Sequence, residues 1–529
     1  MKPLVVETKC EAVAATDDDE PDLARLGLRR GSDGLITWLP DSRDHPRNWS
    51  RGRKTFDIGV IIFFEFFVYA SVARAAQREY NLSQIPALLA FTFMYNLGQS
   101  LAGLLTPPLS ERFGRKPPYL VSSALFSLSC LVVAGVHHPG AVWTGRFLAG
   151  FCSAVPAVVT AGSIEDMFDG RERVWLVVVW NAGSTAGLCL GPVYASFLLR
   201  LGEGWRVVFW TAAGVTAVCF LGLCFVRESR PSCLLRRKID FLRVGGGAGT
   251  GTGEGRDMEL DWFDPDRTAE TKSLVRLVLV QPLRLLFTEP IVAMVTLISA
   301  VSWGIVYLFT ESLPAIYGTL ESGGFVEGDA ARASLVFLAF LPGIGLSFLP
   351  RLWDRRVVAR RLERGERIEP EDKITGFILA APALAIGLAW FAWTVPPFTQ
   401  LHWLVPTAAL IPIGFAVNEM AYTLAAYLTD AYLLYAASAF CGLAFVRALV
   451  SGLMPLVAQQ MYPALGANIA GSVVAGAALV FCLAPWVFCK YGRRLRERSP
   501  FARLSLENHL KTSISSSSSK DGSCLERQL

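Results

Sequence analysis

The sequence predicts an all-α membrane protein of twelve transmembrane helices, arranged as two six-helix bundles related by pseudo-symmetry. Three observations predict it. Of 529 residues, 52% are hydrophobic and only 18% charged, and the mean hydropathy is +0.40, well above that of a soluble globular chain. The apolar residues fall in blocks of about 18 to 25, each long enough to cross a ~30 Å hydrocarbon core as a helix. Arginine and lysine crowd alternate connections between those blocks.

Taken in order, the blocks place helices near 55–73, 86–106, 118–136, 141–163, 174–199 and 207–226, then near 291–313, 333–350, 374–394, 404–428, 438–461 and 466–489. Residues 1–54 read as a largely disordered tail with the acidic run Asp17 to Glu20, unlike a cleaved signal peptide. The first span is therefore expected to direct insertion. The bundles occupy 55–226 and 291–489, a polar loop at 227–290 joins them, and 490–529 forms a second tail. Arg112, Arg115 and Lys116 lie in one connection, Arg171 and Arg173 two connections later, and six arginines from Arg355 to Arg367 between spans eight and nine. The intervening connections 137–140, 395–403 and 462–465 carry none. By the positive-inside rule both tails and the central loop face the cytoplasm.

A net charge of +5 then reflects sidedness and implies no nucleic-acid partner. The run Gly245 to Gly255 follows no strand and opens no helix, so it reads as a linker rather than a phosphate cradle. Ser515 to Ser519 reads as a tail, and His137-His138 before Pro139 as a turn. The eleven cysteines show neither metal-ligand spacing nor a disulfide framework. No nucleophile elbow or histidine cluster is present, so the chain is expected to be no enzyme and to hold no metal or cofactor. Asn81-Leu82-Ser83 fits an N-glycosylation acceptor on an outer connection.

Charge inside a span costs at least a few kcal/mol and normally faces a cavity or a partner. Glu65, Arg146, Glu311 and Glu419 fall in spans one, four, seven and ten. That spacing is what paired three-helix repeats produce when the first helix of each repeat lines a central cavity. The competing reading is a set of snorkelling side chains at misplaced span ends. Arg447 in span eleven is a candidate interhelical partner. Gly187, Gly191 and Pro192 in span five serve either close packing or bending.

These residues resemble the major facilitator superfamily, in its fungal twelve-span drug:proton antiporter branch, over roughly residues 41 to 502. Leu109 to Pro117, with Glu111, Arg112, Gly114 and Arg115, is similar to the loop signature whose charges latch the two halves on the cytoplasmic side; Pro107 replaces its first glycine. Arg146 to Gly150 resembles the span-four motif whose arginine is tied to proton coupling, and Asp166 the acidic residue closing that span. Gly187 to Pro192 resembles the span-five antiporter motif, with Ala195-Ser196 in place of its terminal glycine pair. Asp44 to Lys54, Gly204-Trp205-Arg206 and Glu228 to Ser232 are similar to the fungal branch in particular.

The resemblance implies a monomer in the lipid bilayer of the fungal plasma membrane, or of the vacuole. It would export a small, largely apolar compound, a metabolite, toxin or drug, by alternating access, with the proton gradient rather than a cofactor as its energy source. The alternatives are nutrient or polyamine transport on the same fold and a transport-inactive sensor.

Overall fold

The computed structural model describes residues 20–30, 35–66, 79–80, 83–201, 204–245, 280–318, 330–364, 369–396, 401–432, 435–501 and 503. Ten helices among them are long and apolar enough to cross a membrane. We label the spanning helices α1 (Arg51–Phe66), α2 (Gln84–Phe113), α3 (Lys116–Gly135), α4 (Pro139–Met167), α5 (Glu172–Leu199) and α6 (Arg206–Phe225). The second bundle holds α7 (Pro290–Tyr317), α8 (Ala331–Arg361), α9 (Thr375–Thr394) and α10 (Leu404–Tyr432). A single 63-residue run, Ala436–Arg498, follows. Within it Gly466 adopts φ 80° and ψ 159°, a backbone state open to glycine but costly for other residues, and folds the run into two legs, α11 (436–465) and α12 (467–498).

The contacts show that the legs are antiparallel. Gly442 packs on Pro282 beside the central loop, Asn468 Nδ2 donates to the carbonyls of Ala392 and Val395 (2.7 Å each) where α9 ends, and Gly492 returns against Glu371. Expected spans two to twelve fall on α2 to α12 in order, and the first on the 16 described residues of α1, too few to count among the helices long enough to cross.

Each half has its own core. Ile61, Phe64, Phe91, Phe126 and Phe209 pack in the first, and Phe309, Phe337, Phe340, Phe377 and Phe391 in the second. Lipid tails are as apolar as leucine, so close backbone approach holds such bundles more than burial from water does. A Cβ on Gly98 would overlap the Phe147 carbonyl and one on Gly150 the Tyr95 carbonyl, which seats α2 against α4. Gly343 against Ile411 and Gly414 against Phe340 seat α8 on α10 in the same manner. Helix α5 belongs to both halves: its Ala182, Leu188 and Cys189 join the second core.

The N-terminal tail differs from expectation. Strands Leu28–Arg30 and Ile36–Trp38 pair antiparallel, and Leu23, Leu28 and Ile36 pack on Leu235 and Ile239 of the central-loop helix Pro231–Gly245. Lys238 Nζ reaches Asp44 at 2.6 Å. Two segments read separately as tail and linker thus supply each other's apolar face, which hydropathy taken one segment at a time cannot show. The stretch from 246 to 279, and the serine run of the C-terminal tail, lie outside the described residues.

Candidate functional site

The four span charges are all buried, each with a different surrounding. Glu65, 2% exposed on α1, accepts from Trp180 Nε1 of α5 and from Ser184. Arg146, 4% exposed on α4, donates through Nε to the Phe91 carbonyl at 2.8 Å. That carbonyl lies in a π-helical turn, Leu89–Phe93, inside α2, where the wider winding breaks the ordinary ladder of backbone bonds. The Arg146 guanidinium stands 4.6 Å from the Tyr95 ring centroid and 5.5 Å from that of Phe209, and cation–π attraction replaces water there. No carboxylate among the described residues lies within ion-pair distance of it. Glu311 of α7 accepts from Gln459 Nε2 of α11 at 3.3 Å.

Glu419 is 1% exposed and lies mid-helix on α10, about 20 Å from either end at 1.5 Å per residue. Arg351 of α8 forms an ion pair with it, and Thr423 Oγ1 donates to it at 3.0 Å. Arg351 also lies 2.9 Å from Asp354 Oδ2, off the hydrogen-bond axis, and packs over the Tyr422 ring at 4.5 Å. A Cβ on Gly376 of α9 would overlap both Glu419 and Arg351, so this glycine leaves the pair its room.

Sequence reasoning missed Arg351 and Asp354, because span eight was ended at 350. It also missed Asn418, whose Oδ1 accepts from Asn181 Nδ2 (2.8 Å) and Thr185 Oγ1 (2.9 Å) of α5, while its Nδ2 donates to Ser347 Oγ of α8 at 2.6 Å. This is a buried polar bridge between the two halves. Its signal was two amides at matching depth in spans five and ten.

At the end of the bundle that carries the basic connections, Arg115 Nε reaches Asp166 at 3.0 Å and its Nη1 donates to Ser110 at 2.8 Å. Glu228 accepts the backbone N–H groups of Arg115 (2.7 Å), Lys116 (3.0 Å) and Arg230 (2.9 Å). Gly114 turns there at φ 94°, and a side chain on it would overlap Glu228. All these bonds stay within the first bundle and the segment that follows it, so they clasp one half of the molecule. Glu111 is half-buried near the end of α2. Arg112 is exposed, with its guanidinium over the Phe113 ring. Gly187 lies where a Cβ would overlap the Phe66 backbone of α1; Gly191 is buried, and Pro192 sits within the helix. His138 caps α4 by accepting from Gly140 N–H, a turn as expected. Asn81 lies outside the described residues.

The halves touch toward the end that carries the basic connections through Leu104 with Cys441 and through Trp175 stacked on Phe348. They also meet at mid-depth through Asn418 and through Gly452 against Asn96. Between these contacts lies a narrow pocket formed by α2, α4, α7 and α11, with Gln99, Trp303, Arg447 and Ser451 among walls of glycine, alanine and valine.

Residues 58–455 match the family model described as Major Facilitator Superfamily. The efflux pump radE of Floropilus chiversii is 31% identical over 88% of this chain and 86% of its own. The major facilitator superfamily multidrug transporter mdrA of Aspergillus fumigatus is 30% identical over 89% and 76%, and FLU1, a multidrug transporter of the same superfamily from Candida albicans, 28% over 88% and 75%. Among solved structures, the proton:xylose symporter XylE superposes with a TM-score of 0.56 at 17% identity, over 83% of this chain and 97% of that one.

Proposed function

Because this chain belongs to the Major Facilitator Superfamily and is a multi-pass membrane transporter rather than an enzyme, we propose that it exports a small, largely apolar compound in exchange for protons, at the plasma membrane. The observation that carries the reading is the pair of carboxylates at membrane depth, Glu65 and Glu419, each buried beside a contact between the halves. An ionised carboxylate at that depth is costly unless paired, hydrated or protonated, so gain and loss of a proton changes which packing of the halves is favoured. Glu419 has the geometry for this. Its neighbour Asn418 bridges α10 to α5, while Arg351 ties Glu419 to α8. A proton on Glu419 releases Arg351 toward Asp354 and loosens α8 from α10 beside that bridge.

Names of similar proteins, efflux pump and multidrug transporter, support export over uptake. So does the glycine-proline stretch of α5, whose Gly187 packs on α1 next to Glu65. The test is flux of a fluorescent apolar drug into inside-out vesicles under an imposed proton gradient. Wild type is expected to accumulate it and the Glu419→Gln chain to lose gradient dependence with a flattened pH profile. A wild-type pH profile in that variant overturns the role given to Glu419; absence of any gradient effect in the wild type overturns proton coupling.

A further inference from the structure

Ser451 stands apart from the other buried serines. Ser100, Ser129, Ser153, Ser302 and Ser312 each turn the hydroxyl onto a carbonyl three or four residues earlier in their own helix, the usual way a helical serine satisfies itself away from water. Ser451, 1% exposed on α11, leaves its hydroxyl without a partner, and it lines the pocket between the halves. A buried hydroxyl left unpaired is costly. It is relieved when something in the pocket bonds to it.

The rest of the wall says what that something is. Arg447 and Gln99 also line the pocket, and the Arg447 guanidinium lies 5.0 Å from the centroid of the Trp303 ring. The wall thus offers N–H and O–H donors beside a flat aromatic face, and the remaining lining is glycine, alanine and valine. No carboxylate lines it. The oxygens of Glu65 already accept from Trp180 and Ser184. An added organic cation meets the like charge of Arg447 and finds no carboxylate in the wall, in a medium that screens little.

We propose that the pocket selects flat aromatic compounds that present carbonyl or carboxylate oxygens to Arg447, Gln99 and Ser451, and rejects polyamines and other organic cations. This rests on the transport reading above and narrows it, since composition alone left polyamines open. The test is calorimetric titration of the purified full chain in lipid nanodiscs with coumarin, 1-naphthoate, spermidine and tetraphenylphosphonium. One or both aryl oxygen probes should bind at least about tenfold tighter than either cation, and the tighter of the two tells neutral carbonyl from carboxylate. Ser451→Ala should weaken that probe by about tenfold with thermal melting unchanged. Arg447→Glu should reverse the preference toward spermidine; where it fails to fold, Ser451→Asp places a carboxylate on the same wall and should do likewise.

Equal or tighter binding of spermidine by the wild type, binding of neither aryl probe, or an unmoved affinity in Ser451→Ala overturns the proposal. Gradient-driven flux is read separately in vesicles. Aryl selectivity without proton dependence overturns the coupling alone, and proton-driven transport of spermidine overturns the selectivity alone.

Discussion

The two bundles fasten the ends that carry their basic connections at matching positions, with the same charge placement at one tie and the reverse at the other. In the first, the cation comes from the connection before α3 and the anions from the end of α4 and the segment after α6, as Arg115, Asp166 and Glu228. In the second, the connection before α9 supplies the anion Glu371, and α12 supplies the cation Arg496, 2.6 Å away, with Tyr427 of α10 donating to the same carboxylate at 2.9 Å. Lys373 and Asp430, 2.8 Å apart, repeat the tie between that connection and the end of α10. Pseudo-symmetry has kept the sign where the connection meets the helix end, Arg115 with Asp166 and Lys373 with Asp430, and reversed it where the connection meets the segment after α6 or α12 itself.

The settings differ more than the partners do. The Arg115 and Asp166 side chains are 8% and 10% exposed, whereas Lys373 and Asp430 are 42% and 31% exposed. Removing one member of a buried pair strands the other, at about 3–5 kcal/mol, while an exposed pair contributes about 0–1 kcal/mol. A larger number of ion pairs in the second bundle therefore does not make the firmer clasp.

That contrast can be broken most sharply at Arg115. Arg115→Ala should cost about 3–5 kcal/mol and sharply reduce monodisperse protein on fluorescence-detected size exclusion; a melting profile matching wild type would show that Asp166 finds another partner. Gly376→Val comes next. Its side chain would occupy the space of the Glu419–Arg351 pair, so gradient-driven flux should be lost even where the protein reaches the membrane, and normal flux would mean that the pair has room to move. Gly114→Ala forces a side chain into a φ 94° turn and against Glu228; a loss of about 1–3 kcal/mol is expected from strain, read as a lowered melting temperature. Lys373→Ala should be the mildest, within about 1 kcal/mol and further masked by high salt. If it proves as damaging as Arg115→Ala, the energetic ordering of the two clasps fails.

The same contrast explains what was legible in the sequence. Apolar blocks and arginine sidedness located the spans, since each depends only on local composition. In the first bundle the stretch Glu111 to Lys116, with a glycine that the turn requires, was legible as a motif, whereas its partners Asp166 and Glu228 lie 51 and 113 residues from Arg115. The second clasp is spread over Glu371, Tyr427 and Arg496, and no local spacing betrays it. Arg351 was hidden for a related reason. A hydropathy window ends a span where arginines begin, yet α8 runs on to Arg361 with Arg351 6% exposed, its charge met by Glu419, which is 68 residues away in sequence. Asn181 and Asn418 escaped notice because a lone amide costs a span far less than a charge does.

Gly466 carries a consequence for how the chain is made. With one left-handed residue between α11 and α12, the ribosome delivers to the membrane insertion machinery an almost unbroken hydrophobic stretch, with no polar loop to mark where one crossing stops. The two legs are expected to pass laterally into lipid together as a hairpin, oriented by the basic residues that follow, Lys490 to Arg498. An epitope or reporter placed at that outer corner would therefore interrupt biogenesis before it could report topology.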